Sequence, residues 1–112
     1  MALIQGSSAS ESLNGTSDDD VIFGLGGNDQ INGLGGDDLL FGGDGNDQLA
    51  GGDGNDVLCA GAGNDALLGG QDNDDLSGGP GYDRLDGGPG VNTNNGGTEN
   101  DYCINGAATN CP

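Results

Sequence analysis

GGDGNDQLAGGDGNDVLC, residues 42–59, is one nine-residue phrase written twice: GGDGND, then three residues with leucine in the middle. The same step of nine continues in both directions without an insertion. Units begin at Gly6, Gly15, Gly24, Gly33, Gly42, Gly51, Ala60, Gly69, Gly78, Gly87 and Gly96, and a remnant begins at Asn105. The sixth place of successive units reads Glu11, Asp20, Asp29, Asp38, Asp47, Asp56, Asp65, Asp74, Asp83, Asn92, Asp101. The eighth reads Leu13, Ile22, Ile31, Leu40, Leu49, Leu58, Leu67, Leu76, Leu85, Asn94, Cys103. An acidic and an aliphatic column held in register over almost the whole chain identify a repeat architecture.

The glycine-rich hexads suit turns that need a positive φ. A helix is excluded, because each interior glycine costs about 1 kcal/mol relative to alanine. In the triplet that closes each unit, the seventh and ninth residues point one way and the eighth the other, as in a strand. The lone aliphatic residue is therefore expected to point inward.

Units such as GGDGNDQLA and GGDGNDVLC, with the shorter stretch GGNDQIN, fit GGxGxDxUx, where U is a large aliphatic residue. This phrase resembles the calcium-binding repeats-in-toxin (RTX, haemolysin-type) family over residues 6–104. The resemblance implies an all-β fold, a right-handed parallel β-roll in which six residues turn, three form a strand, and two units complete one coil. On that fold the inner columns are Ile22, Leu40, Leu58, Leu76 on one side and Leu13, Ile31, Leu49, Leu67, Leu85 on the other. The expected organisation is an N-terminal tail at 1–5, the roll at 6–86, and degenerate repeats with a C-terminal cap at 87–112. Unit 87–95, GGPGVNTNN, lacks both the acid and the aliphatic residue, and solenoids need atypical ends.

Nineteen acids face one base, Arg84, for a formal charge of −18, and there is no histidine or lysine. Nothing here neutralises nucleic-acid phosphates or an anionic membrane surface. The natural partner is a cation. High glycine and high charge otherwise mark disordered chains, and one buried aliphatic residue in nine is too little to offset the entropy of ordering the rest. Oxygen ligands without histidine select Ca²⁺ over zinc or copper, and Mg²⁺ prefers to keep its waters.

A same-side step of 18 residues puts Asp20, Asp38, Asp56 and Asp74 in one row, continuing to Asn92. Glu11, Asp29, Asp47, Asp65, Asp83 and Asp101 form the other. Coils roughly 4.8 Å apart let one ion touch the acids of two turns. Sites are expected at Asp20/Asp38, Asp38/Asp56, Asp56/Asp74, Asp29/Asp47, Asp47/Asp65 and Asp65/Asp83. The family resemblance adds turn carbonyls, as at Gly43, Gly45, Gly52 and Gly54. Asp44, Asp53, Asp72, Asp75 and Asp86 lie off this column and are read as exposed charge. Asp18 and Asp72 stand where the turn has glycine, which predicts strain or a shifted carbonyl there.

Cys103 and Cys111 suggest a disulfide that pins the open end of the roll, in keeping with an extracellular setting; two reduced thiols in a frayed tail is the other reading. Cys59 is read as a free thiol, an intermolecular link or a tolerated small apolar residue. Strand alternation puts Val21, Phe23, Leu39, Phe41, Val57 and Cys59 on one outer face. Such a patch is a candidate for docking a neighbouring domain or a second copy, or merely β-propensity. The opposite face is mostly polar. No apolar run spans a membrane, and MALIQGSSAS lacks the basic start and long apolar stretch of a signal peptide.

Without histidine there is no HExxH zinc site and no histidine-based triad, and GxSxG is absent, so no catalysis is expected from this chain. Arg84, Tyr82 and Tyr102 are a sparse set for binding glycans, and threonine arrays for ice are missing. The expected role is a Ca²⁺-dependent folding module of a secreted protein. A glycan-binding or docking module appended to a secreted enzyme or toxin is the alternative. The family resemblance implies export through a type I channel, for which no C-terminal signal is identifiable here.

Overall fold

The computed structural model describes residues 1–109. Thirteen short strands follow one another: β1 Leu3–Gln5, β2 Ser12–Asn14, β3 Val21–Phe23, β4 Gln30–Asn32, β5 Leu39–Phe41, β6 Gln48–Gly52, β7 Val57–Cys59, β8 Ala66–Gly70, β9 Asp75–Ser77, β10 Arg84–Asp86, β11 Thr93–Asn95, β12 Tyr102–Ile104 and β13 Ala107–Thr109. The odd-numbered strands form one sheet and the even-numbered ones a second, each in chain order. All pairing is parallel and displaced by 18 residues, as in Val21↔Leu39 and Gln30↔Gln48, except at the last pair of the odd sheet, where Thr93 stands opposite Ala107. No helix occurs among the described residues. The chain is thus an all-β parallel β-roll of about six coils, a slab of 34 × 29 × 13 Å.

The alternation explains the slab. Between the sheets lie the eighth-place residues Ile22, Ile31, Leu40, Leu49, Leu58, Leu67, Leu76 and Leu85, each 0–3 % exposed, together with Ala60. Ile4 and Leu13 are partly covered at the N-terminal end, and Cys103 at the other. The nonapeptide count sets residues 1–5 apart from the roll, yet Leu3–Gln5 pairs with Val21–Phe23 as the first strand. Ile4 stands nine residues before Leu13 and so holds an eighth place without a glycine turn ahead of it. Unit 87–95 keeps its place too: Thr93–Asn95 pairs with Asp75–Ser77. There Asn94 is fully buried, donating from Nδ2 to the Ile104 carbonyl at 2.8 Å while its Oδ1 has no partner.

From the third unit on, the turns take positive φ at their second and fourth places, as at Gly43 (89°) and Gly45 (103°). Leu25 and Leu34 adopt the same conformation at second places (75° and 76°), and Asp72 at a fourth place (73°). Asp18, in the equivalent position of the second unit, does not.

On the outside of the odd sheet, Val21, Phe23, Leu39, Phe41 and Cys59 are half-buried and Val57 is 38 % exposed. The Phe23 and Phe41 rings stack 4.9 Å apart and 5° from parallel. Outside the even sheet, the Arg84 guanidinium lies 5.5 Å from the Tyr102 ring centre. The expected Cys103–Cys111 bridge involves Cys111, which lies outside the described residues.

Candidate metal sites between the turns

Each turn ends on its sixth-place acid, one residue before the strand begins. The strand directs its eighth residue inward and so leaves the acid at the corner, with its carboxyl turned back under its own turn. Asp20, Asp29, Asp38, Asp47, Asp56, Asp65, Asp74, Asp83 and Asp101 are all at most 5 % exposed. Aspartate is rarely buried to this degree without a partner.

From Asp29 onward, half of each carboxyl is accounted for. The Oδ1 of Asp47 accepts the backbone N–H of Asp29, one coil earlier, at 2.8 Å. Asp38 likewise serves Asp20, Asp56 serves Asp38, Asp65 serves Asp47, Asp74 serves Asp56, and Asp83 serves Asp65. Asn92 continues the row with its own Oδ1, accepting from Asp74. The other half is not. The Oδ2 atoms of Asp29, Asp38, Asp47, Asp56, Asp65, Asp74, Asp83 and Asp101 are buried with no hydrogen-bond partner. A buried carboxylate oxygen in that condition is costly unless a cation or proton compensates it.

The same burial moves the titration of these groups. Desolvation, partly opposed by the N–H bond on Oδ1, pushes Asp56 and Asp65 up to about 7. It carries Asp38, Asp74 and Asp83 to about 6. Neighbouring carboxylates add to each rise. Asp47 is raised in the same way. Asp20 moves in the opposite direction, because the Thr16 backbone N–H bonds its carboxylate.

Glycine at the first place of a unit leaves the orphaned oxygen room, although Ala60 holds that place ahead of Asp65. A Cβ on Gly42 would lie 2.6 Å from the carbonyl oxygen of Ala60 and 2.7 Å from Oδ2 of Asp47. At Gly24 the corresponding pair is Gly42 O at 2.6 Å and Asp29 Oδ2 at 2.7 Å. A carbonyl oxygen of the next coil and an unpartnered carboxylate oxygen thus face the same small space on successive turns. Gly43, Gly45, Gly52 and Gly54 pack against the carbonyls of Leu25, Gly27, Leu34 and Gly36, one coil earlier in the same places. Of their own carbonyls, that of Gly52 accepts the N–H of Gln71 at 3.0 Å. Among the described residues no three or more His, Cys, Asp or Glu side chains gather into a metal cluster. A bound cation would therefore draw on few carboxylates and on backbone oxygen.

A further column, the fifth place, carries a role that the periodic reading passed over. Asn46 N–H donates to Oδ1 of Asn28 at 2.8 Å, and Asn64 N–H donates to Oδ1 of Asn46 at 2.8 Å. On the other side Asn55 donates to Asp37, and Asn73 to Asn55. These bonds point toward the N-terminus along the stack, whereas those of the sixth place point the other way. The recurrence of Asn or Asp immediately before the sixth-place acids is the signal for it in the sequence. Off-column acids vary: Asp44, Asp53 and Asp75 are exposed. Asp86 is half-buried instead, its Oδ1 accepting from Gly88 N–H at 3.0 Å and Asn105 Nδ2 at 2.9 Å. Asp72, though exposed, accepts the Gly54 N–H.

A family model for the RTX calcium-binding nonapeptide repeat matches residues 5–40, 32–67 and 68–103. The chain belongs to the RTX calcium-binding nonapeptide repeat family. No curated protein matches it. As an RTX repeat the chain is a calcium-binding module, and its donor chemistry suits that ion. Paired rows of carboxylates and carbonyls are hard oxygen ligands, and Ca²⁺ accepts six to eight of them in flexible geometry.

Proposed function

We propose that this chain is a calcium-dependent folding module of a secreted protein, with no chemistry of its own. The observation that carries the reading is the row of buried, unpartnered Oδ2 atoms on each side of the roll. In this reading Asp29, Asp47, Asp65 and Asp83 hold ions on one side, and Asp38, Asp56 and Asp74 on the other. Asp20 stands at the head of the second row. Turn carbonyls, with those of Gly43, Gly45, Gly52 and Gly54 among them, complete the shells. Bound calcium supplies positive charge where the fold buries negative charge.

Without it, the carboxylates of neighbouring coils repel one another and one leucine or isoleucine per unit is left to hold the roll. Folding is then the response to calcium, because a site assembled only in the folded state links binding to folding. Extracellular calcium modules work at about 10⁻⁴–10⁻³ M, and a stack of coupled repeats sharpens the transition. The chain would stay unfolded where calcium is scarce and fold once outside.

Far-ultraviolet circular dichroism of chelator-stripped protein during a calcium titration, with magnesium as control, tests this. A steep coil-to-β transition with calcium alone is expected. A β signal already present in chelator and unmoved by calcium would overturn it.

The stacked Phe23–Phe41 pair within a contiguous apolar outer face favours one addition, docking of a neighbouring domain or a second copy through Val21, Phe23, Leu39, Phe41 and Val57. A monomer in calcium by sedimentation at high concentration, together with no association with adjoining parent domains, would exclude it.

A further inference from the structure

We infer that Asp20 is a capping residue rather than a calcium ligand, and that the ion rows begin one coil into the roll. The first two turns, at 6–11 and 15–20, are built differently from those that follow. Their second places hold Ser7 and Thr16, and neither takes the positive φ found at Leu25, Leu34, Gly43 and their successors. With φ negative there, the Thr16 N–H donates to Oδ2 of Asp20 at 2.6 Å, and its hydroxyl lies 2.9 Å from the same oxygen. The Ala2 N–H donates to Oδ1 at 2.8 Å. Both oxygens of Asp20 are therefore engaged by the protein. Every later aspartate of the column, from Asp29 to Asp101, keeps a buried Oδ2 with no partner.

The neighbouring turn repeats the device. Ser7 N–H donates to Oε1 of Glu11 at 2.6 Å, and Ser7 Oγ accepts the Ala9 N–H at 3.1 Å. Thr16 Oγ accepts the Asp18 N–H at 3.1 Å in the same fashion. Such local hydroxyl bonds hold a turn without glycine. In the first coil, then, Ser7 and Thr16 supply hydrogen-bond donors to the acid, where ions compensate it farther along. The first shared ion on each side lies between the turns of Asp29 and Asp47, and between those of Asp38 and Asp56.

This rests on the proposed calcium reading, and the test separates the two. The number of calcium ions bound at saturation is counted by equilibrium dialysis for the wild type, Asp20→Asn and Asp47→Asn. Asp47→Asn is expected to lose bound calcium and Asp20→Asn to retain the wild-type number. Loss in both variants overturns the cap and leaves the calcium reading standing; loss in neither overturns the calcium reading. Should Asp20→Asn fail to fold, wild-type crystals grown in calcium and soaked in terbium give the answer by anomalous scattering. Peaks between the Asp38 and Asp56 turns with none at Asp20 are expected, and a terbium ion on the Asp20 carboxylate would overturn the inference.

Discussion

A sixth-place aspartate performs two separable tasks. Its Oδ1 takes an N–H from the coil before, and beyond Asp20 its buried, unpaired Oδ2 is the oxygen proposed to hold calcium. Asparagine keeps the first and forfeits the second, as Asn92 illustrates by accepting from Asp74 through Oδ1. Asp56→Asn is therefore expected to preserve the coil-to-coil bond. It should raise the calcium concentration at the folding midpoint. A calcium titration followed by circular dichroism measures it. Backbone conformation supplies a second test. Gly45 sits at φ 103° with the Gly27 carbonyl against its Cα, whereas Gly26 has ordinary φ and its nearest Cβ contact would be Ser8 Cα at 3.3 Å. Gly45→Ala should shift the midpoint far more than Gly26→Ala.

At the scale of the elements, coils are tied by two side-chain ladders besides the strand bonds. Asn46 accepts from Asn64 and donates to Asn28. Asn46→Ala leaves the Asn64 N–H without that acceptor and is expected to cost about 0.5–1.5 kcal/mol, read as a lower melting temperature in saturating calcium. Asn46→Asp keeps the acceptor, as Asp37 does for Asn55, and should melt close to the wild type. The strands, the inward column and the 18-residue register were legible in the sequence, because burial imposes period two on each triplet and glycine imposes the turns. The fifth-place ladder is not legible there, since an isolated turn asparagine looks like any polar loop residue until a neighbouring coil is laid on it. Nor did the hexad pattern distinguish Thr16 from Leu25 or Gly43, all at second places. The difference lies in the sign of φ, which decides whether the N–H reaches the carboxylate. Residues 1–5 carry no glycine, so the turn signal is missing there, and of the repeat only the step from Ile4 to Leu13 remains to match the pairing of Leu3–Gln5 with β3.

For the whole molecule, the sign of the pH response follows from the raised carboxyls. Asp56 and Asp65 lie near 7 in the folded chain against an ordinary value of 3.8. The metal-free fold thus binds more protons than the unfolded chain. Its stability from these groups is fully present below the unfolded value and is lost as pH rises through 6 to 7. In metal-free buffer, circular dichroism should show more β structure at pH 4 than at pH 8. If calcium is held by these oxygens, as proposed, protons compete with it, so the calcium midpoint should rise as pH falls from 7 to 5. A midpoint independent of pH would mean that these carboxylates do not bind the ion.

The displacement of 18 residues between paired strands makes length a quantised property of this molecule. Excising two consecutive units shortens the slab by a layer and leaves each surface facing as before. Excising one, residues 51–59 for instance, preserves every column of the repeat yet transposes all that follows. Arg84 would then surface on the face that carries the phenylalanines, two strands from Phe41, and the aspartates after the cut would change sides. Growth or loss by whole pairs is the only kind that conserves what each side of this slab presents to its surroundings.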